Sequence, residues 1–88
     1  MLNVELEVRN ELGIHARVAS KITRCCQGFA SRVEADRDGK KLNLKNVLNV
    51  MLLNVKCGEM LSVEIEGEDE ADAYAALNQL FAEKFGEK

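Results

Sequence analysis

Leu2, Val4, Leu6 and Val8 alternate with Asn3, Glu5, Glu7 and Arg9, the two-residue period of a strand with one buried face. Asn10-Glu11-Leu12-Gly13 breaks the alternation, and Gly13 permits backbone angles that other residues resist. From Ala16 the period lengthens: Val18, Ala19, Ile22, Cys26 and Phe29 recur at helical spacing. Gln27-Gly28 marks the end of that helix, with Gly28 suited to a left-handed cap. Ser31 to Asp36 alternates again, and the Asp38-Gly39 pair within Arg37 to Lys40 signals a tight hairpin whose return strand is Lys41 to Leu44. Asn46 is placed to cap a short helix over Val47 to Leu53, ending near Asn54, which tolerates a left-handed cap. Met60 to Glu66 is the cleanest alternation, with Leu61, Val63 and Ile65 on one side. Asp69 then precedes a long helix whose apolar stripe is Ala73, Leu77, Leu80 and Phe81, and it is expected to cap that helix.

The predicted order is β-α-β-β-α-β-α. The arrangement that buries these faces is an α+β fold, an open-faced β-sandwich: a four-stranded, mostly antiparallel sheet with three helices on one face. A chain of 88 residues with no proline, repeat or linker is expected to form one domain over residues 1–88. So small a domain has little room for an internal pocket, so its function is expected on the surface.

Composition narrows the partners. The net charge of −3 and 5% aromatic content argue against nucleic acid, which calls for a basic, stacking face. Charge is nevertheless uneven. Acids gather at Glu64, Glu66, Glu68, Asp69, Glu70 and Asp72, whereas Arg9, Arg17, Lys21 and Arg24 cluster around the first helix. That basic cluster is suited to an acidic protein partner, with a solvated helix face as the plainer reading from charge alone. Cys25, Cys26 and Cys57 lack metal-ligand spacing, and adjacent helical cysteines point about 100° apart, so neither a metal site nor a disulfide framework is expected. No cofactor is implied. Met1 to Glu5 carries an acid without a basic region or an apolar run, so no signal peptide is expected, and no stretch suits membrane insertion. These points fit a reducing cytoplasm.

The candidate chemistry lies in Gly13-Ile14-His15-Ala16-Arg17-Val18-Ala19-Ser20, where strand gives way to helix. The first N–H groups of a helix lack intrahelical partners, and its dipole adds partial positive charge there. Such an end can hold a phosphate, with Arg17 sharing the charge and the backbone of Ala16, Arg17 and Val18 supplying donors. An imidazole at this point is placed to accept a phosphoryl group. The helix end is expected to disfavour the imidazolium and leave a ring lone pair free. A capping or surface histidine is the plainer alternative from the residues alone. No metal ligand set, substrate pocket or nucleophile–base pair is evident, so a carrier is favoured over a free-standing enzyme.

A second feature is Val47-Leu48-Asn49-Val50-Met51-Leu52-Leu53, apolar nearly all round. Val50 and Leu53 are expected inside, leaving Val47, Leu48, Met51 or Leu52 partly exposed as a docking patch. A fully buried short helix is the competing reading.

Leu12-Gly13-Ile14-His15-Ala16-Arg17, together with Asp38 to Lys45 and the apolar helix that follows, resembles the HPr family, the histidine-containing phosphocarriers of the bacterial phosphoenolpyruvate-dependent sugar phosphotransferase system. The resemblance spans essentially the whole chain. It implies that His15 accepts phosphate from enzyme I and passes it to an EIIA domain, with Arg17 neutralising the phosphoryl charge. It also implies transient docking by a monomer through Ala16, Arg17, Ser20, Lys21, Arg24, Val47, Leu48 and Met51, with Leu52 altering that face. Departures are informative. Val18 replaces the family's proline, which loosens the first turn by about 0.5–1 kcal/mol of lost preorganisation. Asn46 stands where many relatives carry a regulatory serine, so phosphorylation there is impossible. Asn49 and Asn54 occupy positions often held by glycine. These changes leave open a regulatory relative, such as a carrier of a nitrogen-type phosphotransferase branch.

Overall fold

The computed structural model describes residues 1–87. Its elements run β1 (Leu2–Glu7), α1 (Ala16–Gln27), β2 (Arg32–Arg37), β3 (Lys40–Asn43), α2 (Val47–Leu52), β4 (Met60–Glu66) and α3 (Glu70–Ala82), followed by a turn over Lys84–Gly86. The four strands form one sheet in the order β1-β4-β2-β3. All three pairings are antiparallel, so the expected architecture holds without a parallel exception.

Register explains why the alternation matters. Val4 lies opposite Val63 and Leu6 opposite Leu61, while Val33 and Ala35 lie opposite Ile65 and Val63. Their side chains therefore share one face, and a slip of one residue would send all of them to solvent. On that face they meet Val18, Ala19, Ile22 and Cys26 of α1 and Ala73, Leu77 and Phe81 of α3 in one buried cluster. Burying each larger aliphatic side chain contributes about 1.5–3 kcal/mol. The other face of the sheet is polar and carries the ion pairs Arg32–Glu66 at 2.9 Å and Lys41–Glu64 at 2.9 Å.

Turns follow local chemistry. Asp38 and Gly39 take positive φ of 55° and 81°, as a tight hairpin requires. Asn46 caps α2, its side-chain oxygen accepting from the N–H groups of Leu48 and Asn49. That helix ends at Leu52 with Leu53 as its cap, and Asn54 takes the left-handed angle at φ 48°.

Two expected caps behave differently. Gly28 ends α1 in a right-handed conformation, φ −74°, because its N–H reaches Cys25 and Cys26 directly and no left-handed turn is needed. Asp69 occupies the N-cap position of α3 without a side-chain cap bond. Its carboxylate instead accepts from the N–H of Ala30 at 2.8 Å, the N–H of Ser31 at 2.9 Å, and the Ser31 hydroxyl. It thus ties the entrance of β2 to the start of α3.

The loop before α1 is set by Gly13. Its φ is +70°, and a Cβ there would stand 2.8 Å from the Val55 carbonyl oxygen. The N–H of Ile14 donates to that same oxygen at 3.0 Å, and Val8 and Gly58 bond a little further along at 2.7 Å.

Two outcomes follow. Gly13→Ala should lose roughly 1–3 kcal/mol, read as a lower urea midpoint, because both the left-handed angle and the close carbonyl oppose a side chain. The Ser31 hydroxyl and the two backbone donors hold the Asp69 carboxyl below its ordinary value of 3.8. A carboxyl lowered on folding contributes stability that is complete above its unfolded value and is lost as pH falls through the folded one. Asp69→Asn should therefore be less stable at neutral pH and should show a shallower loss of stability on acidification, measured by urea unfolding across the acid range.

Candidate functional site

Ile14 is fixed against Val55, so the chain leaves the loop extended and turns into α1 at the next residue. His15 is the N-cap, with φ −116° and ψ −177°, and its carbonyl accepts from the N–H of Ala19 at 2.8 Å. Its Nδ1 accepts the Arg17 N–H at 3.3 Å, a long bond whose donor belongs to the first turn. The N–H groups of Ala16 and Val18 form no hydrogen bond with a protein group among the described residues. Of the three donors expected from sequence, that of Arg17 thus points at Nδ1, and those of Ala16 and Val18 stand unpaired in the same first turn. Val18 contributes only backbone here, because its side chain is fully buried in the core.

The other ring nitrogen has a partner that the sequence did not reveal. Nε2 lies 2.7 Å from Oε2 of Glu87, 72 residues away in sequence. Arg17 reaches the same oxygen, with Nη1 at 3.7 Å, while its side chain remains 74% exposed. Oε1 of Glu87 accepts from Asn10 Nδ2 at 3.0 Å. That amide also donates to the Gly13 carbonyl at 2.7 Å, and Asn10 is fully buried. Burial works against the charge on Glu87, but hydrogen bonds from Asn10 and His15 and the charges of His15 and Arg17 outweigh it and hold the carboxyl below its usual range. A His15–Glu87 pair, which the sequence reading did not name, is present.

A hook in the chain delivers Glu87. Lys84, Phe85 and Gly86 take φ of 55°, 56° and 78°, three successive left-handed residues that reverse the backbone after α3. Phe85 is buried and packs edge-on against Phe81 with centroids 4.8 Å apart. Lys21 of α1 donates from Nζ to the Phe85 carbonyl at 2.6 Å. An open cleft of about 320 Å³, lined by Glu11, Leu12, Arg17, Gly86 and Glu87, lies beside the pair.

The residues expected to dock fall on adjoining helices. Ala16, Arg17, Ser20 and Arg24 are exposed along α1, and Lys21 is half-buried by its bond to the hook. On α2, Val50 and Leu53 are buried as expected, Val47 is partly covered, and Leu48, Met51 and Leu52 are 67%, 46% and 71% exposed. Leu52 lines a cleft with Arg37, Asp38, Lys40 and Leu42, on the hairpin side of α2. The two helices are joined at their bases, where Gln27 donates to the Lys45 carbonyl at 3.1 Å and Lys45 donates to the Phe29 carbonyl at 2.7 Å. The cysteines are separate in role: Cys26 is buried, Cys25 partly so, and Cys57 is exposed in a turn. Burial pushes the Cys26 thiol up to about 12, which leaves it a protonated apolar filler. No helix among the described residues is long and apolar enough to cross a membrane.

Comparison with known proteins agrees with this geometry. A family model described as the PTS HPr component phosphorylation site matches residues 2–83. The chain is 40% identical to the phosphocarrier protein HPr of Xylella fastidiosa, over 99% of this chain and 98% of that one. It is 37% identical to the HPr of Cupriavidus necator with the same coverage. A crystal structure of HPr from Thermoanaerobacter tengcongensis superposes with a TM-score of 0.93 at 36% identity, covering 100% of this chain and 99% of that one. With its four-stranded sheet, its histidine at a helix start and relatives matched along nearly its full length, the chain belongs to the HPr family of phosphocarriers of the phosphotransferase system.

Proposed function

We propose that residues 1–88 act as a single phosphocarrier domain, a monomer in the cytoplasm, which takes phosphate on His15 from phosphorylated enzyme I and passes it to an EIIA domain for sugar uptake. The observation that carries this reading is the position of His15 as N-cap of α1, with one ring nitrogen facing the first-turn donors. In the forward step the lone pair of Nδ1 attacks phosphorus in line, and the bond to the donor breaks with its electron pair leaving on the donor. The N–H groups of Ala16, Arg17 and Val18 and the guanidinium of Arg17 then receive the phosphoryl oxygens. Transfer onward reverses these roles at the acceptor.

The surface suits a transient exchange. His15 keeps 30% of its side-chain area exposed, enough for a partner's reactive group to approach. Around it the basic residues Arg17, Lys21 and Arg24 favour an acidic partner, and the apolar side chains of Leu48 and Met51 give that partner something to bury. Asn46 has no hydroxyl to modify and holds α2 in place instead.

Incubation with enzyme I and phosphoenolpyruvate should produce an acid-labile phosphoryl adduct on the wild-type chain and none on His15→Ala. An adduct that persists in His15→Ala overturns the assignment. Leu48→Asp should leave the urea midpoint nearly unchanged, because Leu48 is 67% exposed, while raising the KM for the partner by about tenfold or more. Titrating enzyme I against both carriers measures it.

A further inference from the structure

α3 carries more apolar surface than the core covers. Ala73, Leu77 and Phe81 are buried, whereas Ala76 and Leu80, on the adjoining strip of the helix, are only half-buried. That strip faces Cys25 of α1, which is half-buried as well. The small side chains of Cys25 and Ala76 leave the outer edges of the two helices apart, and an open groove of about 470 Å³ runs between them with Leu80 in its floor. One rim is cationic. Arg17, Lys21 and Arg24 recur once per turn along ~10 Å of α1, and the last two line the groove itself. Lys21 gives one donor to the Phe85 carbonyl at 2.6 Å, while Arg24 is exposed and forms no ion pair among the described residues. The opposite rim is Gln79 and Glu83, whose side chains bond each other at 3.1 Å. The α2 residues Leu48, Met51 and Leu52 do not line the groove, and Gln27, which reaches toward α2, projects from the opposite side of α1.

We propose that the α1–α3 groove is a second docking face, one that takes an amphipathic helix of a partner protein with a row of carboxylates along one flank. Its apolar side chains rest on Cys25, Ala76 and Leu80, its carboxylates face Lys21 and Arg24, and its other flank carries a basic residue opposite Glu83. Two helices side by side form a furrow into which a third packs, with axes about 8–10 Å apart. Cations repeating once per turn match carboxylates repeating once per turn on such a helix, whereas a single anionic headgroup engages only one of them. Because the rims are opposite in sign, they also fix the orientation: exchanging the flanks of the incoming helix sets its acids against Glu83. One helix covers less than the roughly 1,200–2,000 Å² of a stable complex, so the contact is weak and reversible. His15 does not line the groove, so occupancy does not require phosphoryl transfer.

The probe is a synthetic helical peptide of about 18 residues, five turns, with leucines at three- and four-residue spacing, glutamates along one flank and lysines along the other. Cys25 reports occupancy of the groove, and Cys57, exposed in a turn, is the internal reference. Burial raises the Cys25 thiol pKa, so alkylation is run at mildly alkaline pH and read by tandem mass spectrometry. The peptide, at several times its Kd, should slow alkylation of Cys25 about fivefold and leave Cys57 unchanged. Amide shifts in an NMR titration should centre on residues 21–25 and 76–83. Arg24→Glu, at an exposed position that tolerates it, should weaken the peptide about tenfold, and a peptide with lysines in place of the glutamate row should prefer this variant to wild type. Ala76→Phe, which fills the floor, should lose binding with a urea midpoint close to wild type. An unchanged Cys25 rate, shifts centred on α2, or equal affinity for a peptide with glutamine in place of every glutamate overturns the proposal. Cys25 protection that rises with protein concentration in the absence of peptide makes the occupant a second copy, and protection by dodecyl phosphate equal to the peptide's makes it a small amphiphile. Either result overturns it.

Discussion

The approach of Gly13 to the Val55 carbonyl sets the position of His15. No side chain fits between the two backbones, and the left-handed angle of Gly13 turns the loop so that Ile14 can bond the same carbonyl. His15 then has one direction left, extended and at the head of α1. The helix is held from below by Val18, Ala19 and Ile22, all fully buried against the sheet. An N-cap histidine is therefore a product of sheet register and loop packing, transmitted through two residues. Helix-end donors contribute to anion binding only if their position is fixed in advance. Here the fixing is done by backbone contacts of the preceding loop.

The short helix α2 shows a similar division of work. Val50 and Leu53 anchor it, and Asn46 satisfies two donors that a helix so short would otherwise leave to water. With the inner side and the cap accounted for, Leu48 and Met51 are free to remain exposed. Such a patch is a liability unless something covers it. Its location beside α1, where Arg17 and Arg24 stand in solvent, joins apolar area to positive charge on one face. That is the combination that speeds encounter and allows fast release, because charge sets the on-rate and a modest apolar area limits residence.

Much of this was legible from periodicity. Each strand and helix lies where the alternation or the helical spacing places it, because one-sided burial leaves a period that the backbone geometry dictates. Val50 and Leu53 inside, with exposure among Val47, Leu48, Met51 and Leu52, followed from asking how much of a short helix can be covered; the structure leaves Leu48, Met51 and Leu52 exposed and Val47 partly covered. What was not legible depended on contacts distant in sequence. Asp69 reads as a helix cap, yet its carboxylate is taken by Ala30 and Ser31, 39 and 38 residues away. Gly28 offers a left-handed cap that the local chain does not use. Glu87 sits 72 residues from His15 on a segment without periodicity, beyond the last helix, where nothing local distinguishes it from Glu83. Its one available signal is Gly86 after an aromatic residue, a turn mark of low specificity. Asn10 was legible as a loop residue and not as the group that steadies Glu87.

The departure at Val18 acquires a physical meaning in this setting. A proline at that position would fix the first turn through its own ring and remove a donor. Valine leaves the backbone freer, and its side chain compensates by filling the core completely. The N–H that it retains, unpaired among the described residues, joins those of Ala16 and Arg17 at the site. Preorganisation that a ring would supply locally is here supplied from outside the helix, by Gly13 and Val55 on one side and by the Lys21–Phe85 latch on the other. The first turn thus keeps a third backbone donor, and the hook that contacts the imidazole also braces the helix on which it stands.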